Sequence, residues 1–193
     1  MTRLPAVSLL LSTAMACASA SAATLDFETL LPAGDVGTTV VVLPQASLEG
    51  SGTTLYLNEF FPGAGGSVCS AFIPASGSLS CASDLRITFT TAVSQLSLAA
   101  IGYDDGDSVT ISAFAGGLLL DSQTVTSDTV VDFSGFSGVT QLVFDDQSEG
   151  SGYAYGNFSF IQSAGVVPEP STGLMMGLGI AALGCFAARR RVG

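Results

Sequence analysis

The sequence predicts an all-β fold, an antiparallel sandwich held between two apolar terminal segments. Three observations predict it. Between its ends the 193-residue chain shows no stretch of convincing helical periodicity. Short runs of Val, Ile, Leu, Thr and Phe alternate instead with clusters of Gly, Ser and Asp, the pattern of brief strands joined by turns. About ten such runs fit in the middle of the chain, the strand density of an all-β sandwich.

The N-terminal element comes first. MTRLPAVSLLLSTAMACASASAAT has one early charge, Arg3, an apolar run to about Ala18, and then small residues. This is the layout of a secretory signal peptide, residues 1–23. Both Ala18-Ser19-Ala20 and Ser21-Ala22-Ala23 fit the small-x-small rule of signal peptidase. The expected cut is just before Thr24, give or take about three residues. A lipoprotein cut before Cys17 would want a Leu-like residue at position 14, where Ala14 stands.

The strands follow over 24–162. TLDFETL (24–30) opens the domain. Further runs lie at 38–43, 53–60, 68–73, 85–90, 93–101, 108–115, 118–126, 129–132, 140–145 and 153–161. In LRITFT, Leu85, Ile87 and Phe89 share a face, because side chains alternate along a strand. In SVTISAF, Val109, Ile111 and Ala113 do the same. Gly116-Gly117 then offers a two-residue hairpin turn into GLLLDSQTV. QSAGVV marks a short linker, taken as 163–167.

Composition limits what such a domain can do. Without the two ends roughly 145 residues remain, one domain with room for a core. Fifteen of the sixteen acids precede Glu169, and Arg86 is the only base between the signal and the tail, a net charge of −14. Nucleic acid is excluded, since the lone Arg86 cannot supply the cations that displace its counterions. The chain has no His, so a Ser–His–Asp or Cys–His device is excluded and a zinc centre disfavoured. A carboxylate pair remains as the route to a hydrolase; without Trp to stack on sugar, the expectation is no enzyme. Of four cysteines, Cys17 and Cys185 belong to the ends. Cys69 and Cys81 are expected to pair in an oxidising compartment.

The tail is the most specific stretch. Ser171–Ala188 carries no charge and as a helix would span about 27 Å, close to a ~30 Å hydrocarbon core. Gly173, Gly177, Gly179 and Gly184 suit a membrane helix better than a soluble one. Arg189, Arg190 and Arg191 follow at once and orient the span with the body outside. Pro168-Glu169-Pro170 precede it. This order of Pro-Glu-Pro, apolar helix and Arg-rich end, over residues 168–193, resembles the PEP-CTERM sorting signal of Gram-negative bacteria. The resemblance implies recognition and processing by exosortase at the inner membrane. It also implies transient anchoring, and a place in the envelope or in an exopolysaccharide matrix or biofilm. The middle region resembles the jelly-roll domains common in PEP-CTERM proteins, through its opening DFE, its VTISAF…GLLLDSQTV hairpin and its closing GNFSF.

Three acidic groups are candidates for calcium, which takes six to eight oxygens from flexible loops. One is Asp104, Asp105 and Asp107, bent by Gly106. A second is Asp145 and Asp146, with Glu149 near. The third joins the first and last strands: Asp26, Glu28 and Asn157. Jelly-roll sugar-binding modules often carry calcium where those strands meet, and by that resemblance Glu28 is a ligand. Where related domains close with Asp-Asn, Gly156 precedes Asn157, so that Asp ligand is missing. Asp and Gly are also ordinary turn residues, which leaves solvated turns as the alternative. Tyr153 and Tyr155, two apart on one strand, are candidates for a carbohydrate platform.

Overall fold

The computed structural model describes residues 21–58, 66–73, 77, 79–81, 84–148 and 153–162. The expected linker, membrane span and sorting residues, and positions 1–20 of the expected signal, lie outside them. The described residues are almost entirely antiparallel strand, with a single four-residue helix, α1 (Phe27–Leu30).

Two long strands organise the domain: β7 (Leu85–Ile101) and β10 (Thr129–Asp146), paired antiparallel over most of their length. The first half of β7 lies between β4 (Ala46–Gly50) and the second half of β10. Beyond β4 stands β3 (Val40–Val42). Beyond β10 stand β8 (Val109–Ala115) and β9 (Leu118–Val125). The second half of β7 lies between the first half of β10 and β11 (Ala154–Gln162). On its far side β11 carries β1 (Ser21–Leu25) along its second half and β6 (Ser67–Ala71) along its first. β5 (Thr54–Asn58) and β2 (Gly34–Asp35) complete that layer.

One continuous ladder thus makes both layers, because β7 and β10 run from one into the other. Local irregularities allow the turn. Along β7 the buried residues are Leu85, Ile87, Phe89 and Val93, then Leu96, Leu98 and Ala100. The inward parity switches from odd to even around Gln95, which sits at φ 52. Such a bulge bends a strand and re-aims its side chains. β10 switches likewise, from Val131, Phe133 and Val139 to Leu142 and Phe144, across register shifts between Phe133 and Gln141. In β11 the switch from Tyr155 to Phe158 occurs at Asn157, φ 50, where the β11–β7 register shifts between Gly156 and Ser159. The bulges at Asn157 and Gln95 face the same ladder and offset one another.

The inner faces meet at two aromatic contacts between residues that are not ladder partners. Phe89 of one layer packs edge-on against Phe160 of the other, ring centroids 5.2 Å apart. Phe144 packs against Tyr155 at 4.2 Å. Phe27 of α1 closes the core from the side, edge-on to Phe158 at 5.5 Å. Each such aromatic pair contributes about 0.5–1.5 kcal/mol beyond its burial.

The strand pattern agrees with the sequence in most runs and differs at several points. Runs 85–90 and 93–101 are one strand, as are 129–132 and 140–145, because bulges keep the ladder intact where the hydrophobic alternation breaks. β4 was not among the expected strands; its ASLEG stretch has two inward residues, Ala46 and Leu48, each fully buried. TLDFETL is not one strand. It leaves β1 at Leu25 and makes one helical turn, capped by the Asp26 carboxylate accepting from the Glu28 N–H at 3.1 Å. That turn is locked by Gly66 (φ +67), where a Cβ would stand 2.8 Å from the Glu28 nitrogen. Finally, residues 21–23, expected within the signal, belong to β1.

The disulfide is as expected. Cys69 and Cys81 are bonded, both buried beside Ala71 and Ala154. The loop between them is pinched by main-chain bonds in both directions between Phe72 and Ser80. On the chain-entropy account such a loop contributes about 3 kcal/mol.

Candidate functional site

The domain has two distinct ends. Leu85 at the start of β7 pairs with Phe144, and Ala100 near its finish pairs with Tyr155. The Phe144–Tyr155 contact brings these together, so the loop after β7, the β9–β10 turn and the strand ends at Asp146 and Ala71 share one end of the domain. At the opposite end β7 crosses between layers. There Val93 pairs with Gln162, and Gln162 with Ser21. The chain therefore enters and leaves the domain side by side.

The loop end gathers the tyrosines and several acids. Tyr103 stacks on Tyr153, with ring centroids 4.9 Å apart and planes 20° from parallel; Tyr153 is 6.2 Å from Tyr155. Burial pushes the Tyr103 phenol up to about 12, helped by the negative charges of Asp107, Asp146 and Asp128. The Tyr103 hydroxyl is itself buried and faces that of Tyr155 without hydrogen-bond geometry. Tyr153 and Tyr155 are raised as well, again chiefly by burial. All three stay protonated at neutral pH.

This placement corrects the carbohydrate platform. Tyr153 and Tyr155 are only 1% and 2% exposed. Their rings meet Tyr103, Phe144 and each other, so neither presents a face for a sugar to stack on. The Tyr153 hydroxyl lies 3.3 Å from that of Ser148.

The carboxylates work mainly as caps on main-chain N–H groups. Asp107, 4% exposed, accepts from Asp104 N–H across its own turn at 2.8 Å. Asp128 accepts from Tyr103 N–H at 2.8 Å, tying the β9–β10 turn to the loop after β7. Asp146 accepts from both the N–H and the hydroxyl of Ser148, at 2.9 and 2.7 Å. Asp84 in turn accepts from Asp146 N–H at 3.0 Å. Asp104, Asp105 and Asp145 are exposed. Among the described residues no three of His, Cys, Asp and Glu are arranged to hold a metal ion; Glu149 lies outside them.

Away from the loop end the pattern repeats. Asp35 accepts from Gly37 N–H and from the Thr54 hydroxyl, and the Thr54 bond, then the Gly37 bond, hold its carboxyl below the usual range. Asp132 is lowered likewise by Ser134, through the side chain first and then the N–H. The third expected group is only partly assembled. Asp26 and Asn157 line one open groove with Thr24, Leu25 and Ser159, whereas Glu28 is not among its walls. Asp26 already caps α1, and Asn157 is the bulge residue of β11. Arg86, the one described base, meets Glu49 at 3.4 Å in an exposed pair, worth about 0–1 kcal/mol.

Asp35, Asp84 and Asp128 were not anticipated as functional residues. The Asp35-Val-Gly37 spacing is a turn signature that sequence could have supplied. The bonds from Asp84 to position 146 and from Asp128 to position 103 leave no local trace.

The decisive observation is at the C-terminal end of the sequence, where residues 166–191 match the family described as the PEP-CTERM protein-sorting motif. The chain carries a PEP-CTERM sorting signal. That signal covers the expected Pro168, Glu169, Pro170 and Arg189–Arg191, and it implies an exported protein recognised by exosortase and processed while transiently in the membrane. No curated protein matches the chain. The PEP-CTERM signal is separated from Gln162, the last residue of β11, by only a few residues.

Proposed function

We propose that this PEP-CTERM protein is a non-catalytic structural component of the cell envelope or extracellular matrix of a Gram-negative bacterium, in the setting of exopolysaccharide and biofilm. Signal peptidase removes the N-terminal segment and exosortase processes the tail. One observation carries the non-catalytic reading. The partly buried and buried aspartates at the loop end are engaged as caps of turns, where they hold backbone rather than wait for substrate. A disulfide and an acid-coated surface suit a durable protein outside the inner membrane. The jelly-roll-like ordering belongs to the same reading, supported by the pairing of the first strand with the last.

The test is the mature C-terminus. In cells with exosortase, mass spectrometry should find the chain ending near Pro168-Glu169-Pro170 and recover it from the envelope or matrix fraction. In cells lacking exosortase the arginine tail should persist. An intact tail in both removes the proposal.

A calcium-dependent carbohydrate-binding or adhesive module is the second reading. It is favoured by the gathering of Asp107, Asp128 and Asp146 around Tyr103. In this form calcium relieves repulsion at the loop end, and the sugar contact lies elsewhere than on Tyr153 and Tyr155. A melting temperature unmoved by either calcium or EDTA removes the metal; a glycan array without hits removes the sugar.

A further inference from the structure

Two frames near the start of the chain satisfy signal peptidase, ending at Ala20 and at Ala23, and the structure chooses between them. β1 starts at Ser21. It pairs with β11 in unbroken register: Ser21 with Gln162, Ala22 with Ile161, Ala23 with Phe160, Thr24 with Ser159 and Leu25 with Phe158. Ala23 is partly buried and packs against the main core, and Leu25 is 1% exposed.

A cut after Ala23 would take away three of these five paired positions and one core contact. The Phe160–Gln162 edge of β11 would then present unpaired N–H and C=O groups, the kind of edge that native sheets keep covered. A cut after Ala20 keeps all five of the pairings found among the described residues.

We propose that signal peptidase cleaves between Ala20 and Ser21, making Ser21 the first residue of the mature protein, with Ser21–Ala23 serving as strand rather than leader. This rests on the export reading above. The two uses of the segment exclude each other in time. A peptidase needs the substrate extended and free, so β1 docks on β11 only once cut. After docking, the Ser21-Ala22-Ala23 frame is hydrogen-bonded into the sheet and no longer offered. Ser and Ala are weak strand formers, so register with β11 and the Ala23 contact hold the strand more than local preference does.

The experiment expresses the full chain in a host that exports it and reads the N-terminus by intact mass and terminal-peptide sequencing. The expected first residue is Ser21; any other first residue overturns the assignment. Ala20→Leu should abolish that product, since a bulky residue breaks the small-x-small frame. Ala23→Leu should leave Ser21 as the terminus; loss of the Ser21 product in that variant overturns the assignment too. A chain that keeps Met1 overturns the export reading together with this one, whereas a chain cut elsewhere overturns this one alone. As a readout of the strand itself, a mature chain beginning at Thr24 should melt about 2–4 °C below one beginning at Ser21. Equal melting overturns the structural argument.

Discussion

The two ends of the domain are held by different means. At the end where the chain enters and leaves, main-chain pairing predominates: Ser21 to Gln162, Gln162 to Val93, and Val93 to Val139 form a continuous run across four strands. At the loop end the main chain is in turns, and side chains reach in to satisfy it. Asp128 caps the loop after β7, Asp84 caps the end of β10, and the Cys69–Cys81 bond closes the loop after β6. Ladder bonds are regenerated by any residue but proline, which lacks the N–H. Caps and disulfides depend on particular side chains. Substitutions should therefore be felt unevenly, except in the core that both ends share.

The core sets the largest effect and the baseline. Phe89→Ala at the entry end and Phe144→Ala at the loop end should each cost about 3–5 kcal/mol, the range for a buried Phe. Urea unfolding checks this. A full loss at one and less than about 1 kcal/mol at the other would show that the layers do not close at both ends alike. Next comes the disulfide. Cys69→Ala with Cys81→Ala should lose about 3 kcal/mol. Hydrogen exchange should rise first in the loop after β6 and in its partner β5, with β1 unchanged. A uniform rise would erase the distinction between the ends.

How far the sequence could be read follows the same division. Alternation in LRITFT and SVTISAF identified the inward residues correctly: Leu85, Ile87 and Phe89 are at most 5% exposed, and Val109, Ile111 and Ala113 are fully buried. Gly116-Gly117 is the hairpin turn, at φ 55 and 88. The cysteine pairing followed from exclusion of the two terminal cysteines. What could not be read were the bulges. Gln95 and Asn157 are ordinary polar residues in sequence, and only the ladder reveals that each flips the faces of its strand. Strand merging followed from that, and so did the difficulty with the site. Asp clusters mark turns and metal loops equally well. Distance decides between them, and the deciding partners lie far away in sequence, as Asp84 does from Asp146. Tyr153 and Tyr155 misled for a similar reason, since alternation says they share a face but not which side it faces.

Asn157 offers a sharper test of site against scaffold. As a bulge residue in left-handed conformation it tolerates Gly, while a β-branched residue is strained there by about 1–3 kcal/mol. Asn157→Val should therefore cost clearly more than Asn157→Gly in thermal unfolding. Equal losses, both abolished by removing calcium, would make Asn157 a ligand instead. Asp128→Ala should cost about 1–2 kcal/mol, the cost of a cap, and should speed exchange of the Tyr103 amide. An unchanged Tyr103 amide would mean that the loop end holds without its side chains.

The smallest effect concerns acid. Asp35 and Asp132 have carboxyls held below the usual value in the folded domain, by Thr54 with Gly37 and by Ser134 respectively. A depressed folded value means that the ionised form is favoured by folding. Its contribution is complete above the ordinary Asp range, about pH 4, and disappears as pH falls through the lowered folded value. Asp35→Asn with Asp132→Asn should leave stability at neutral pH little changed, because both groups are at the surface. Below about pH 4 the gap between wild type and variant should narrow further, the wild type losing stability faster on acidification. Chemical unfolding at a series of pH values between about 2 and 7 measures the gap. If it widens toward acid, the sign is wrong and these aspartates do not stabilise their turns as anions. The same variants should leave exchange at Tyr103 untouched, since neither carboxylate reaches that loop.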